Sequence, residues 1–200
     1  SLNKLIDENI ISSYFRLLEV NKPKGYEIEV PLDRPLFKHQ EKALRKAVNN
    51  KNIIVTTGTG SGKTESFLYP VLNKLFKEQE EGKLGEHGVR AILIYPMNAL
   101  ANDQIKRIRD ILMFYPEISF GVFTGDTIKN QTSAKNKYRE IHAGEKYPEL
   151  QRGLENERIS REEMYDKPPH ILITNYVMLE YLLLRPDYSG VFKDSDLKFI

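Results

Sequence analysis

The chain has 200 residues, of which 40% are hydrophobic and 29% are charged, and its formal net charge is +2. These values are typical of a single soluble domain that can bury its own core, and the small net charge gives no argument for nucleic-acid binding by itself. The absence of cysteine excludes disulfides, cysteine-ligated zinc and thiol nucleophiles, and it favours a reducing, cytoplasmic location. No apolar run approaches the roughly 20 residues that a membrane helix needs, so we expect no membrane partner.

The first segment, residues 1–34, is expected to form a short helical and extended extension ahead of the main domain. Its apolar residues recur with helical spacing, which predicts one short amphipathic helix. The apolar positions of this predicted helix are Leu5, Ile6, Ile10, Ile11, Tyr14, Phe15 and Leu18.

The main domain, residues 35–200, alternates short β-rich runs with amphipathic helical patterns. Strands that alternate with helices predict an α/β domain with a mostly parallel sheet flanked by helices, and ligands are then expected at the carboxyl ends of the strands. The predicted strands are 52–57, 89–95, 118–124 and 170–174, and the predicted helices are 63–79 and 99–114.

Residues from about 128 to 168 break this alternation with a polar, charge-rich stretch that is longer than an ordinary loop. We interpret it as an insertion that contains helical pieces. Ser160 could cap one of these helices, because a serine side chain can accept a hydrogen bond from the first turn. The mixed charges of the stretch favour a solvated face over a binding surface.

The strongest motif is GTGSGKT, residues 58–64, which lies between a predicted strand and a predicted helix. Glycines let the backbone N–H groups converge on phosphate oxygens, and the following helix adds its positive N-terminal end. Lys63 is expected to reach the β and γ phosphates of ATP, and the Thr64 hydroxyl is expected to bind Mg²⁺. The residues of this predicted cofactor site are Thr57, Gly58, Thr59, Gly60, Ser61, Gly62, Lys63, Thr64 and Glu65.

This motif departs from the strict Walker A pattern at Thr57, where a glycine would open it. Superfamily 2 helicases accept another residue there, and the upstream run LFKHQ, residues 36–40, resembles their Q motif. A glutamine amide both donates and accepts hydrogen bonds, so Gln40 can pair with the edge of adenine and select ATP over GTP.

Three downstream runs resemble further motifs of DEAD/DEAH-box helicases. They are 91–104, similar to motif Ia, 123–127, similar to motif Ib, and 171–179, similar to the motif that follows. In that family these elements hold the sugar-phosphate backbone of one strand, and such contacts position a strand without reading its sequence. The resemblance places nucleic-acid contacts at Pro96, Asn98, Ala99, Gln104, Thr124, Gly125, Thr174 and Asn175.

The resemblance implies the first, RecA-like ATP-binding domain of a superfamily 2 helicase or translocase, with a second RecA-like domain as its partner. Asn175 and Tyr176 stand where many DEAD-box proteins have proline and glycine, which favours DNA over RNA as the partner. Residues 197–200 are expected to begin the strand that leads, in the family, into the acidic magnesium-binding box. We therefore expect this chain alone to bind ATP without turning it over.

Three alternatives remain open on the sequence. A translocase that walks on a duplex without separating its strands would carry the same motifs. A P-loop enzyme that does not act on nucleic acid would share residues 58–64 alone, and an inactive interaction module would not need an intact Gly-Lys-Thr. The four histidines show no spacing typical of a metal site and are interpreted as surface or turn residues.

Overall fold

The computed structural model describes residues 1–58 and 60–200. The chain divides into two compact units, Ser1–Leu84 and Gly85–Ile200. In the part of the chain that is described, no helix is both long enough and apolar enough to cross a membrane.

Helices form the first unit. The long helix Lys63–Glu80 (α4) packs against the helix Lys38–Val48 (α3). The ring of Phe76 in α4 also meets the ring of Phe15 edge-on, with centroids 5.0 Å apart. The bounds of its helices are α1 Leu2–Asp7, a 3₁₀ turn Ser13–Arg16, α2 Leu17–Val20, α3 Lys38–Val48 and α4 Lys63–Glu80. The prediction of a helix from Lys63 is therefore confirmed.

The N-terminal segment is broken into short pieces, so the prediction of one amphipathic helix is wrong in its extent. The backbone turns at Asn9, which has φ 55°, and the Ser12 side chain accepts a hydrogen bond from the Tyr14 N–H to start a 3₁₀ turn. The apolar positions Leu5 and Leu18 are nevertheless buried. Helical spacing thus identified the residues that pack inside, but the local hydrogen bonds decided the backbone path.

The predicted strand 52–57 is wrong. These residues form no regular structure, and Ile54 is 92% exposed. A strand needs a neighbour to pair its backbone N–H and C=O groups. The described residues of the first unit contain no strand, so a β-rich sequence there has no partner within its own unit.

The second unit contains a parallel sheet, which confirms the predicted α/β class. In the described part of the chain the sheet has four strands in the order β1-β4-β2-β3, and every pairing is parallel. The strands are β1 Ala91–Tyr95, β2 Phe120–Phe123, β3 Glu157–Arg158 and β4 Ile171–Asn175. Three of the four predicted strands are therefore confirmed, although each begins one or two residues later than predicted, β2 ends one residue earlier and β4 ends one residue later.

The core of this unit lies on both faces of the sheet. All of β4 from Ile171 to Thr174 is buried, as expected for a strand between two parallel neighbours. Helix α5, Asn98–Leu112, follows β1 and turns its apolar face towards the sheet, and helix α9, Tyr176–Leu184, follows β4. The helix predicted at 99–114 is confirmed.

The charge-rich segment is ordered into helices and contributes a strand. It contains α6 Gln131–His142, α7 Pro148–Arg152, β3 and α8 Arg161–Asp166. Ser160 caps α8 in a reciprocal capping box with Glu163, as predicted. A bidentate ion pair between Arg109 of α5 and Glu157 of β3 connects this segment to the core.

The last residues lie beside the opposite edge of β1. Phe199 pairs with Ala91 in a parallel bridge, and the Ile92 N–H donates to the Phe199 carbonyl at 3.0 Å. The prediction that a strand begins at 197–200 is supported by this bridge.

Candidate nucleotide and nucleic-acid sites

The predicted phosphate loop lies directly before α4, an 18-residue helix. Its last residue, Gly62, has φ 72° and ψ 39°, the left-handed conformation that L-residues rarely adopt. A Cβ at Gly62 would also collide with the side-chain amide of Gln40. Glycine at this position is thus required by the backbone and by packing, and the helix that follows begins with N–H groups that have no partner inside the helix.

The Lys63 ammonium folds over the loop that precedes it. Its Nζ donates to the carbonyl oxygens of Thr57 at 2.8 Å and Gly58 at 2.6 Å. Within the described residues no carboxylate forms an ion pair with Lys63, so its positive charge is not neutralised locally. An ammonium with three donors and a helix N-terminus beside it form a site suited to an anion.

Side chains inside the loop support its shape. The Ser61 hydroxyl lies 2.6 Å from Thr57 Oγ1 and 2.8 Å from the Gly58 carbonyl oxygen. Thr64 is the second residue of α4 and is half-buried, whereas Glu65 is buried and lies 3.9 Å from an Arg34 nitrogen. Thr59, also predicted as a phosphate contact, lies outside the described residues.

Gly58 differs from Gly62 because no described atom of the protein requires a glycine there. Its φ is outside the left-handed region, and a Cβ added to it would meet nothing within 4 Å. A glycine whose Cα faces open space inside a phosphate loop leaves room for a ligand to approach the backbone, because it carries no side chain. The open side of Gly58 is therefore the face where phosphate oxygens could lie.

Gln40 lies beside the loop and uses both ends of its amide within the protein. It is 4% exposed, its Oε1 accepts from the Phe37 N–H at 2.9 Å, and its Nε2 donates to the Gly62 carbonyl at 3.0 Å. Each end retains one further hydrogen-bonding position. Gln40 thus links the start of α3 to the phosphate loop, a contact that the sequence did not predict.

An open groove of about 180 Å³ runs between α3 and the segment before the loop. Its wall includes His39, Lys42 and Lys46 on α3 and residues 53–57 on the other side. The Nε2 atom of His39 is buried and has no hydrogen-bond partner among the described residues. The histidines were interpreted as surface or turn residues, but His39 is half-buried beside this groove.

The second set of predicted contacts lies in the second unit, where three loops follow parallel strands. Because β1, β4 and β2 are neighbours and run the same way, the loops after them lie along one edge of the sheet. A chain of hydrogen bonds joins these loops: Asn175 Nδ2 donates to Asn98 Oδ1 at 2.8 Å, and Asn98 Nδ2 donates to Asp126 Oδ2 at 2.7 Å. Asn175 Oδ1 in turn accepts from the Met178 N–H and caps α9.

The predicted contacts in these loops differ in exposure. Pro96, Ala99 and Gly125 are exposed, and Asn98, Gln104 and Asn175 are half-buried. Gln104 lies on α5 and makes no hydrogen bond within this network of described residues.

Two of the predicted contacts, Thr124 and Thr174, are buried. The Thr174 hydroxyl is 0% exposed and donates to the Phe123 carbonyl at 2.7 Å. The Thr124 N–H donates to Thr127 Oγ1 at 2.8 Å, which closes the loop after β2. The hydroxyls of Thr174 and Thr127 thus hold these loops, and a nucleic-acid contact at the buried Thr124 and Thr174 would fall to the backbone and to exposed neighbours.

The described residues contain no group of three histidine or acidic side chains that could hold a metal ion by themselves. Burial raises the pKa of Tyr95, at the end of β1, to about 12. This phenol is neutral at physiological pH, as an ordinary tyrosine also is.

Comparison with known proteins places these loops in a family context. The model of the DEAD/DEAH box helicase family matches residues 37–197. Druantia protein DruE of Escherichia coli is 29% identical, with 84% of this chain and 13% of that protein aligned. An uncharacterized ATP-dependent helicase of Methanocaldococcus jannaschii is 30% identical over 90% of this chain and 22% of that protein, and the ATP-dependent helicase Lhr-Core of Saccharolobus solfataricus is 28% identical over 80% and 16%. The chain thus spans less than a quarter of the length of these relatives.

The open face of Gly58 leads to a test that separates ligand binding from folding. We expect Gly58→Ala to weaken ATP binding by at least about ten-fold, which corresponds to about 1.4 kcal/mol of binding free energy. The reason is that the added methyl group occupies space beside the backbone donors. The free energy of unfolding should change by less than about 1 kcal/mol, since the added methyl meets no protein atom. Isothermal titration calorimetry and thermal melting measure the two quantities.

Gly144→Ala is the matched control, because a Cβ there also meets open space but lies far along the chain from the loop. It should change neither ATP binding nor stability by a measurable amount. ATP affinity that is equal in the Gly58→Ala variant and the original protein would show that the open face of the loop does not receive phosphate.

Proposed function

Because the chain belongs to the DEAD/DEAH box helicase family, we propose that it is the ATP-binding part of an ATP-dependent helicase or translocase that acts on nucleic acid. Residues 57–65 hold the phosphates of Mg-ATP, and the loops at the carboxyl edge of the parallel sheet hold one nucleic-acid strand. A second RecA-like domain of the same whole protein completes the hydrolytic site.

The uncompensated charge of Lys63 is the observation that supports this proposal most directly. The ammonium is held over the loop by two carbonyl oxygens, at 2.8 and 2.6 Å, and no described carboxylate neutralises it. We propose that the ammonium exchanges these carbonyl oxygens for oxygens of the triphosphate. Hydrogen bonds between an ammonium and phosphate oxygens are short and strong. Lys63 therefore contributes to nucleotide binding, and it also stabilises the negative charge that develops on the phosphate oxygens during hydrolysis.

Magnesium fits this site through oxygen ligands. Thr64, in the first turn of α4, offers a hydroxyl, and phosphate oxygens and water would supply the remaining positions, since Mg²⁺ prefers oxygen and keeps several waters. When bound, the ion neutralises part of the phosphate charge.

Gln40 and the groove beside it are the proposed adenine site. The amide is fixed at both ends, by Phe37 and Gly62, so its remaining donor and acceptor positions are already oriented. His39 offers a further ring nitrogen in the wall of the groove. A contact of this kind distinguishes adenine from guanine because the group at position 6 is a donor in adenine and an acceptor in guanine, whereas N7 accepts in both.

Nucleic acid is proposed to run across Pro96, Asn98, Ala99, Gly125 and Asn175. The hydrogen bonds Asn175–Asn98 and Asn98–Asp126 fix the three loops with respect to one another, so backbone donors on several loops can hold consecutive phosphates.

DNA is the proposed partner. The support for this choice is that Asn175 and Tyr176 depart from the proline and glycine of many DEAD-box proteins. Strand separation and movement along an intact duplex are both open to this machinery, and an unwinding assay on the whole protein distinguishes them.

The direct test is ATP turnover by the whole protein with single-stranded DNA, single-stranded RNA or no nucleic acid. We expect DNA to stimulate turnover more than RNA does. Lys63→Ala should weaken ATP binding by roughly 10- to 100-fold, since a hydrogen bond to a charged group contributes about 1.5 to 3 kcal/mol, and it should remove the stimulated turnover.

Lys74→Ala is the matched control, because Lys74 is another lysine of α4 and pairs with Glu78 outside the loop. Its turnover should equal that of the original protein. Failure of both DNA and RNA to stimulate the original protein would contradict the helicase proposal, and stronger stimulation by RNA would overturn the choice of DNA.

The adenine contact has its own test. Gln40→Ala should narrow the preference for ATP over GTP by about ten-fold or more, because a two-point contact to a base edge is worth roughly 1 to 3 kcal/mol of discrimination. Competition between ATP and GTP for the whole protein measures this preference. If Gln40→Ala weakens the binding of ATP and of GTP equally, the amide acts only as a support for Gly62.

A further inference from the structure

Arg161 lies at the start of α8, within the charge-rich segment 128–168, and its guanidinium reaches the loop after β2. Nε donates to the Thr127 carbonyl at 3.0 Å, and one terminal nitrogen donates to the carbonyls of Thr124 at 3.2 Å and Gly125 at 3.1 Å. One side chain therefore binds three backbone oxygens of a four-residue loop.

These three carbonyls have few other partners. The Thr127 N–H donates to the Thr124 carbonyl at 3.3 Å, a long hydrogen bond, and the rest of the turn depends on Thr127 Oγ1, which links the Thr124 N–H to the Val122 carbonyl. Without the guanidinium, the carbonyls of Gly125 and Thr127 would need water or a different backbone conformation. Gly125 adds to this freedom, because glycine samples many conformations when it is not held.

The guanidinium is itself held in place before it meets the loop. It lies 5.3 Å from the ring centroid of Phe123 and 6.0 Å from that of Tyr188, and these two rings meet edge-on. The Arg161 N–H donates to the Ile128 carbonyl at 2.9 Å, while the capping box of Ser160 and Glu163 fixes the start of α8. In the described part of the chain no carboxylate pairs with Arg161, so its donors face the loop.

We infer that Arg161 is a positioning residue for nucleic-acid binding: it holds the loop Thr124–Thr127 in the shape that presents Gly125 to a phosphate of the strand. The inference rests on the proposed function and extends it to the charge-rich segment, which acts on the nucleic-acid edge of the sheet through this one side chain. A planar guanidinium suits the task because its donors have a fixed fork geometry and its face stacks on aromatic rings, neither of which lysine provides.

The test compares Arg161→Ala, Arg161→Lys and the original whole protein in ATP turnover titrated with single-stranded DNA. We expect Arg161→Ala to raise the DNA concentration for half-maximal stimulation by about ten-fold, because the loop then loses the side chain that holds it in place. Basal turnover and turnover at saturating DNA should stay within about two-fold, because nucleotide binding uses residues 57–65. Arg161→Lys should also raise the half-maximal concentration, although it keeps the charge.

Arg152→Ala is the control, since it removes one positive charge from an exposed position of α7 in the same segment. It should leave the DNA titration unchanged. The inference is wrong if Arg161→Ala titrates like the original protein, if Arg161→Lys restores the original value, or if Arg161→Ala lowers basal turnover together with the melting temperature. A lack of stimulation in the original protein would instead overturn the proposed function, and the inference with it.

Discussion

Parallel hydrogen bonding of β4 to β1 on one side and to β2 on the other determines where the loops of the second unit lie. Five residue pairs join β1 to β4 in register, from Ala91 with Ile171 to Tyr95 with Asn175. Since parallel strands end at the same edge, the loops that follow them become neighbours although they are far apart in the sequence. The hydrogen bonds among Asn98, Asp126 and Asn175 are a consequence of that register.

The first unit achieves its site by a different physical route. Here the helix α4 begins at a left-handed glycine, and the proposed anion site consists of the helix N-terminus together with the Lys63 ammonium. Gln40 supports this arrangement from α3 by binding the carbonyl of that glycine. Both proposed sites therefore depend on backbone groups that a few side chains hold in place, an arrangement that suits ligands rich in phosphate.

The sequence was sufficient where a pattern depends on local interactions. The run around Ile173 is continuously apolar because both faces of a central parallel strand are buried, so its strand could be predicted. The Ser160 cap of α8 could be predicted for the same reason, because it depends on residues within one turn of the chain. Residues 52–57 have the same β-rich composition, yet a strand also needs a pairing partner, and composition does not supply one.

Contacts between distant residues could not be read from the sequence. Arg161 binds carbonyls more than thirty positions earlier, and nothing in its neighbours indicates this. The burial of Thr174 likewise depends on β2 and β4 lying side by side.

Amide hydrogen exchange of the whole protein, with and without ATP and a single-stranded oligonucleotide, tests the central claim most directly. The account predicts that ATP slows exchange at residues 57–65 and that the oligonucleotide slows it at 96–99 and 124–127. Slower exchange confined to other segments, such as α6 and α7, would contradict it.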